Sequence, residues 1–439
     1  MKKPNRIIQL SVALALAGGT AGVWAAGFAL MEQNASGLGN AYAGQAAAAE
    51  DASTIFFNPA GMTRLQGGQA AGVLNMIRPS AKLTVDTTRS GLPTAAGPGA
   101  VGTAGGDAGA TWNYVPQGYV SYQVNSSWWV GVGVSTPFGL KTSYDNTFVG
   151  RFQAREAELR SYDINPSVAY KVNDWLSIGG GLSYQHLQAK LKSAANIAGF
   201  FEGTSNLDVS DNQWGYNLGV MLNVSPSTRL GLAYRSVMSY ELKGTNQVAS
   251  AVANGTSSVQ LNVRAPDTYS AALAHTYNDR WEVLSDFTWT NWSTIKDVPI
   301  VTTAPTPGLG PGGTVLAAGT VLRVLNFQFK DSYRIGVGTN YRWNDAFTLK
   351  LGIAYDNSPV TDTTRLVALP DNNRAWLSVG GKYQLTKAGK VDFGYAHLFV
   401  KNGNIAQAGG TAGAAATGNV FGTYKNKVDI VSVQYTHSF

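Results

Sequence analysis

The side chains able to do chemistry are sparse in this 439-residue chain: four His, no Cys, and no local grouping of Ser, His and Asp. The His show no metal spacing, and no phosphate loop is present, so no metal, cofactor or catalytic residue is expected. What remains is charge placement and apolar capture. Arg235, Arg334, Arg342 and Lys350 alternate with small residues, which predicts that they point into an interior. Glu32, Glu50 and Asp51 are their natural partners, because buried charges must be paired. That pairing reads as a structural latch more than as a ligand site. Lys192 and Arg323 stand at strand ends and could meet a carboxylate, although each taken by itself reads more readily as a solvated rim charge. Ile197, Phe200 and Phe201 sit among Ala and Gly in 193–211, and could catch an apolar ligand or pack that loop on itself.

The elements that would position these groups follow from composition. The charged fraction is 13%, with 51 Gly and 20 Tyr, about half the usual charged share of a soluble domain. Mean hydropathy is −0.08, and after the leader no stretch offers the roughly 18 apolar residues of a spanning helix. An outer-membrane β-barrel and a large secreted β-protein both fit. The net charge of +7 includes Lys2, Lys3 and Arg6, and no dense basic run suggests a nucleic-acid partner. Residues 1–25 read as an export signal: a basic start, the short apolar "IIQLSVALALAGG", and Val23 and Ala25 at the small-residue positions.

From residue 67 to 439 the apolar pattern repeats every second residue. In "FTLKLGIAY", Phe347, Leu349, Leu351, Ile353 and Tyr355 oppose Thr348, Lys350, Gly352 and Ala354. In "TRLGLAYRSVMSYEL", Leu230, Leu232, Tyr234, Met238 and Tyr240 share one expected face. About fourteen such strands are expected, joined alternately by tight turns ("VNDW", "YNDRW") and long segments such as 193–211 and 246–257. Short turns on one rim and long loops on the other predict a transmembrane antiparallel barrel, which also leaves no exposed strand edge. Trp128, Trp129, Trp175, Trp281, Trp289, Trp292 and Trp343 are expected in its interfacial girdles. The terminal Phe439 is the kind of signal that barrel-assembly machinery reads.

Residues 26–66 precede the first strand and are too apolar to be disordered. A lumen fourteen strands wide cannot be filled by wall side chains, so this segment is expected to plug it. Here "AGFAL", "ASGLGNAYAGQAAAAEDAS" and "NPAGM" resemble the N-terminal hatch of FadL/TodX-type outer-membrane transporters. "FKDSYRIGVGTNY", "LGIAYDNSPV" and "ALPDNNRAWLSVG" resemble further segments of that family in the right order, and the likeness fades in the long loops. The resemblance implies a monomeric 14-stranded barrel in the outer membrane of a Gram-negative bacterium. It implies uptake of long-chain fatty acids or other hydrophobic molecules, caught by outer loops and held in an apolar pocket. It places Phe28 at the ligand and gives Asn58, Pro59 and Ala60, with Glu50 and Asp51, a gating role in the hatch.

The family also releases its cargo sideways through a wall defect in the third strand. "VSTPFGL" supplies one at Thr136, Pro137, Phe138 and Gly139, because Pro cannot donate to a ladder. The alternative is that Pro137 only marks a strand end. Lys192 and Arg323 do not align cleanly with the family's basic residues, which leaves room for neutral aromatic or aliphatic hydrocarbons as cargo. A general porin has no use for an apolar plug, and a barrel enzyme or adhesin finds no convergent catalytic set here.

Overall fold

The computed structural model describes residues 26–439 except 98, 310–312 and 414; the expected export signal lies outside the described residues. Fourteen antiparallel strands follow one another, several built from two segments: β1 (Gly68–Val85), β2 (Asn113–Gln123), β3 (Trp128–Ser135 and Gly139–Ser143), β4 (Glu156–Lys171) and β5 (Leu176–Ile197). They continue with β6 (Phe201–Ser225), β7 (Thr228–Arg235 and Met238–Ala249), β8 (Asn254–Ala265 and Thr268–Thr276), β9 (Trp281–Thr290 and Asp297–Thr302) and β10 (Val321–Asn326 and Ser332–Arg342). The last are β11 (Phe347–Asp356), β12 (Arg374–Gln384), β13 (Gly389–Val400) and β14 (Asn419–Ser438). β1 pairs with β14 from Gln69↔Ser438 to Val85↔Gly422, so the sheet closes on itself without terminal edge strands.

The faces sort as the alternation requires. On β11, Leu351, Ile353 and Tyr355 are exposed, whereas Lys350 on the opposite face is 1% exposed and points inward. In water such a surface would be unstable; in lipid it is the expected one. Aromatic pairs ring both rims. Tyr184–Trp214, Tyr216–Tyr234 and Tyr234–Tyr269 form part of the ring on the long-loop side. Trp128–Tyr170 and Trp281–Tyr341 belong to the ring on the short-turn side.

Several expectations need correction. Trp129 and Trp292 are 3% and 1% exposed and turn inward, so neither belongs to a girdle. Met238 and Tyr240 are buried inside, not on the outward face of Leu230, Leu232 and Tyr234, because the break between the two segments of β7 reverses the alternation. The 193–211 and 246–257 segments are mostly strand: β5 and β6 pair up to Ile197↔Phe201, and β7 and β8 up to Ala249↔Asn254. Arg342 points to the short-turn rim, where it pairs with Asp345 at 2.6 Å.

The segment before β1 fills the lumen. It holds short helical turns at Leu38–Asn40, Gln45–Ala48, Thr54–Phe57 and Pro59–Arg64, and nearly all of it is buried. Wall glycines make room for it. A Cβ on Gly219 would stand 1.9 Å from the Asn58 side-chain oxygen, and one on Gly231 1.9 Å from the Ala46 carbonyl. One on Gly352 would stand 2.2 Å from the Asn40 backbone. The small-residue face of the wall is thus the imprint of the hatch.

Candidate functional site

Asn58 organises the hatch around the "NPA" turn. Its Nδ2 donates to Ala46 O at 2.7 Å and to Val220 O in the wall at 3.0 Å, and its Oδ1 accepts from Ala60 N. Pro59 opens the helical turn that Asn58 caps, where a missing N–H costs nothing. Glu50 anchors the other side. Its carboxylate lies 2.9 Å from Lys350 and 3.3 Å from Lys382, and its carbonyl accepts from Lys390. Asp51 accepts from Ser53 N and stays within the hatch. Arg334 pairs with Asp286 of the wall at 2.9 Å and donates to Ala41 O. Arg235 donates to Phe56 O and lies 4.2 Å from its ring centroid. No hydrogen-bond donor among the described residues meets either carboxylate oxygen of Glu32. Of the three expected partners, Glu50 forms an ion pair from hatch to wall with Lys350, while among the described residues Glu32 and Asp51 form none.

The defect in β3 is a bulge. Ser135 pairs with Asp163 and Gly139 with Arg160, so Thr136, Pro137 and Phe138 face only Ser161 and Tyr162. On the other side, β2 stops pairing with β3 at Gly118↔Val134, and its residues 113–117 bond to β1 alone. The wall between β2 and the upper part of β3 is unzipped. The freed groups are taken by the hatch: Leu30 N donates to Pro137 O at 2.8 Å, Gly139 N to Phe28 O at 2.9 Å, and Gln33 Nε2 to Thr136 O at 3.0 Å. Gln117 and Tyr119 of β2 hold the same segment by donating to Glu32 O and Gln33 O. The N-terminal segment is thus a stopper hydrogen-bonded to both lips of the gap.

Above the stopper lies the main cavity, about 670 Å³, lined chiefly by apolar side chains of β5–β10 and the inward-folded loops, among them Leu187, Leu207, Leu261, Ile300 and Leu369. Such a volume suits a small-molecule site. Phe28 forms part of its floor, edge-on to Trp292 at 4.7 Å and to Phe138 at 5.7 Å. Beneath that aromatic layer a smaller chamber of about 140 Å³ is lined by Leu30, Met31, Phe57, Pro137 and Phe138. Phe28 lines the main cavity, and its neighbour Ala29 and ring partners Phe138 and Trp292 line the chamber, so Phe28 stands between the two beside the wall gap.

Among the sequence candidates, Phe28, Ile197 and Arg323 line the main cavity and Lys192 does not. Lys192 is drawn to Glu156 of β4 at 2.9 Å. Phe200 and Phe201 sit at the tip between β5 and β6, 76% and 47% exposed, away from the cavity. Lys190, which also lines it, pairs with Asp208 at 3.0 Å. Arg323 has no hydrogen-bond or ion-pair partner among the described residues. It stands on the part of β10 beyond the outer aromatic ring, and burial alone lowers its pKa to about 10. Trp292 and Phe329 were missed by sequence reasoning. Their signal was that "NWST" breaks the alternation of β9.

Comparison with known proteins agrees with this geometry. The model of the family described as outer membrane protein transport protein (OMPP1/FadL/TodX) matches residues 16–439. The long-chain fatty acid transport protein of Escherichia coli K12 is 27% identical, covering 89% of this chain and 91% of its own. An outer-membrane protein of Neisseria meningitidis is 30% identical, with 99% of both chains covered. Among solved structures, a Pseudomonas aeruginosa FadL homologue superposes with a TM-score of 0.83 at 22% identity, covering 94% of this chain and 100% of that one. The Ralstonia pickettii toluene transporter TbuX superposes with a TM-score of 0.66 at 18% identity, covering 93% and 100%. At these identities the structural likeness speaks for the fold.

Proposed function

Since the chain belongs to the OMPP1/FadL/TodX family of outer-membrane transport proteins, we propose that it admits hydrocarbon-bodied molecules to the main cavity and releases them sideways at the β3 bulge. Transport of hydrophobic molecules through the outer membrane, without catalysis, comes with the family. The cargo and the route are the proposal. One observation supports the route above all: the hatch residues bonded to β3 at the gap, Phe28 and Leu30, line the main cavity and the chamber respectively. A shift of this stopper would join cavity, chamber and bilayer. Each buried CH₂ is worth about 0.8 kcal/mol, so such cargo gains by leaving into lipid and not into the periplasm.

The cargo is read from the lining. Lys190 and Lys192 are held by carboxylates, which leaves the apolar body as the main handle and requires no head group. Neutral aromatic or aliphatic hydrocarbons fit that lining. Arg323 favours a second reading, because an unpaired, half-buried guanidinium would gain a charge-assisted bond from a carboxylate. Relatives carry names of both kinds, long-chain fatty acid and toluene transporters.

Binding of a straight-chain alkane and of the fatty acid of equal length to the purified barrel separates the readings. The hydrocarbon reading expects both to bind, with alkane affinity unchanged in Arg323→Leu. If the alkane fails to bind while the acid binds and loses affinity at least tenfold in Arg323→Leu, a carboxylate is required and the hydrocarbon reading falls.

A further inference from the structure

A second break in the wall lies far from the β3 bulge. β8 and β9 pair regularly from Thr276↔Glu282 to Thr268↔Thr290, and Asn291 N still reaches Asp267 O. Pairing then stops, and resumes only at Gln260↔Val301. Between those points residues 261–266 of β8 face residues 292–300 of β9, six against nine. The cause is the Trp292–Thr294 turn, which sends Trp292 into the lumen against Phe28. The chain that follows bonds to β10 instead: Phe329 N donates to Ile295 O, and Phe327 N to Lys296 O. Among the described residues the edge of β8 keeps a single side-chain bond across the break, from Thr294 Oγ1 to Arg264 O at 3.3 Å.

The break forms an external pit of about 420 Å³, with Ser239, Asn262, Arg264 and Lys296 at its mouth. Its floor is side chains, not backbone. Val263, Ile295 and Val298 line the pit and also line the main cavity, so one layer of apolar side chains separates the two. Arg264 stands five residues beyond Tyr269, so the mouth lies on the outer side of the outer aromatic ring and not at mid-membrane. The mouth mixes both charge signs, as Glu241 and Asp297 adjoin Arg264 and Lys296.

We infer that this pit is a side entrance, through which a single-chain hydrophobic molecule already resting in the outer leaflet slips its tail into the main cavity. An opening made by a missing ladder needs only rotamer changes of Val263 and Ile295, which are fast compared with moving a strand. A polar head could remain at the charged mouth while the tail is buried. Entry here and exit at β3 would lie on different sides of the Phe28–Trp292 pair. The inference rests on the reading of the main cavity as the cargo site.

The chain has no Cys, so Asn262→Cys with Thr294→Cys can be bridged across the break by a cleavable bis-maleimide. A fluorescent long-chain hydrocarbon probe placed in the outer leaflet of proteoliposomes reports loading of the main cavity. Bridging is expected to slow loading from the leaflet at least tenfold, leave final occupancy unchanged, and be reversed by cleavage. Ile295→Ala, which thins the floor, is expected to speed loading several-fold in the unbridged barrel. Equal loading rates in the bridged, cleaved and Ile295→Ala proteins would overturn the side entrance while leaving the cargo site standing. No loading in the unmodified parent would overturn the cargo reading, and the entrance with it.

Discussion

At the scale of single residues, Asn58 ties three parts together: the Gln45–Ala48 turn, the "NPA" turn, and the wall at Val220. Its amide is buried, so removing it takes a partner from Ala46 O and from Ala60 N, at about 1–3 kcal/mol for each group left unsatisfied. Asn58→Ala should loosen the hatch without unfolding the barrel, whose ladder does not pass through it. Hydrogen exchange in residues 45–62 is expected to rise while barrel melting stays near the parent's. Unchanged exchange would show that Asn58 does not carry the hatch. Glu50→Gln tests the opposite anchor. It leaves Lys350 facing Asp392 at 3.5 Å as its remaining carboxylate, and should raise the ion leak of single barrels in planar bilayers. A leak equal to the parent's would mean that Glu50 is no latch.

At the scale of elements, the β3 bulge and the hatch segment make one device. Because three residues face two, substituting Pro137 alone would restore the missing donor but not the register. Deleting Pro137 equalises the two sides and should let β3 pair continuously with β4. Ligand binding in the main cavity is expected to persist, since its lining is untouched, while uptake falls sharply. Uptake at the parental rate would rule out lateral release at this strand. The hatch can be tested separately. Ala47 and Ala274 belong to one packed alanine cluster, so a disulfide between cysteines placed there should fix the plug to the wall. Binding should survive and uptake should stop until reduction. Full transport with the tether intact would argue for a passage that needs no hatch motion.

At the scale of the whole molecule, the barrel is a closed ladder whose outward face must meet lipid. Leu351 is 45% exposed near the middle of β11. Arg there is expected to destabilise the inserted barrel by about 2–4 kcal/mol, measurable as a shift in reversible folding into bilayers. A Leu351→Arg protein that folds like the parent would mean that this face does not meet the membrane core. The closed wall also explains why its two breaks matter. In a continuous ladder every backbone group is satisfied within the sheet. At β3 the freed groups bond to the hatch, and at β9 they bond to β10. The freed groups of β3 and β9 thus exchange a wall partner for another partner, whereas the β8 edge facing its break keeps the Thr294 Oγ1 bond to Arg264 O.

The sequence by itself determined the barrel, its strand number, the plug and the family, because these rest on local signals. Period-two alternation, turn residues and loop lengths are written in neighbouring residues, and "NPAGM" is contiguous. Its failures of facing have two forms. Met238, Tyr240 and Trp292 were placed by parity or by residue type, and a strand break or an inward turn reverses the facing without changing the residues; Trp129 was placed by residue type although plain alternation sets it opposite the exposed Trp128. Pairing across space was likewise invisible. Lys192 and Arg323 look alike in sequence, yet Glu156 neutralises the first and no described residue neutralises the second. Only the tertiary structure decided that Phe28 stands between two cavities beside the wall gap, because those walls come from strands hundreds of residues apart in the chain.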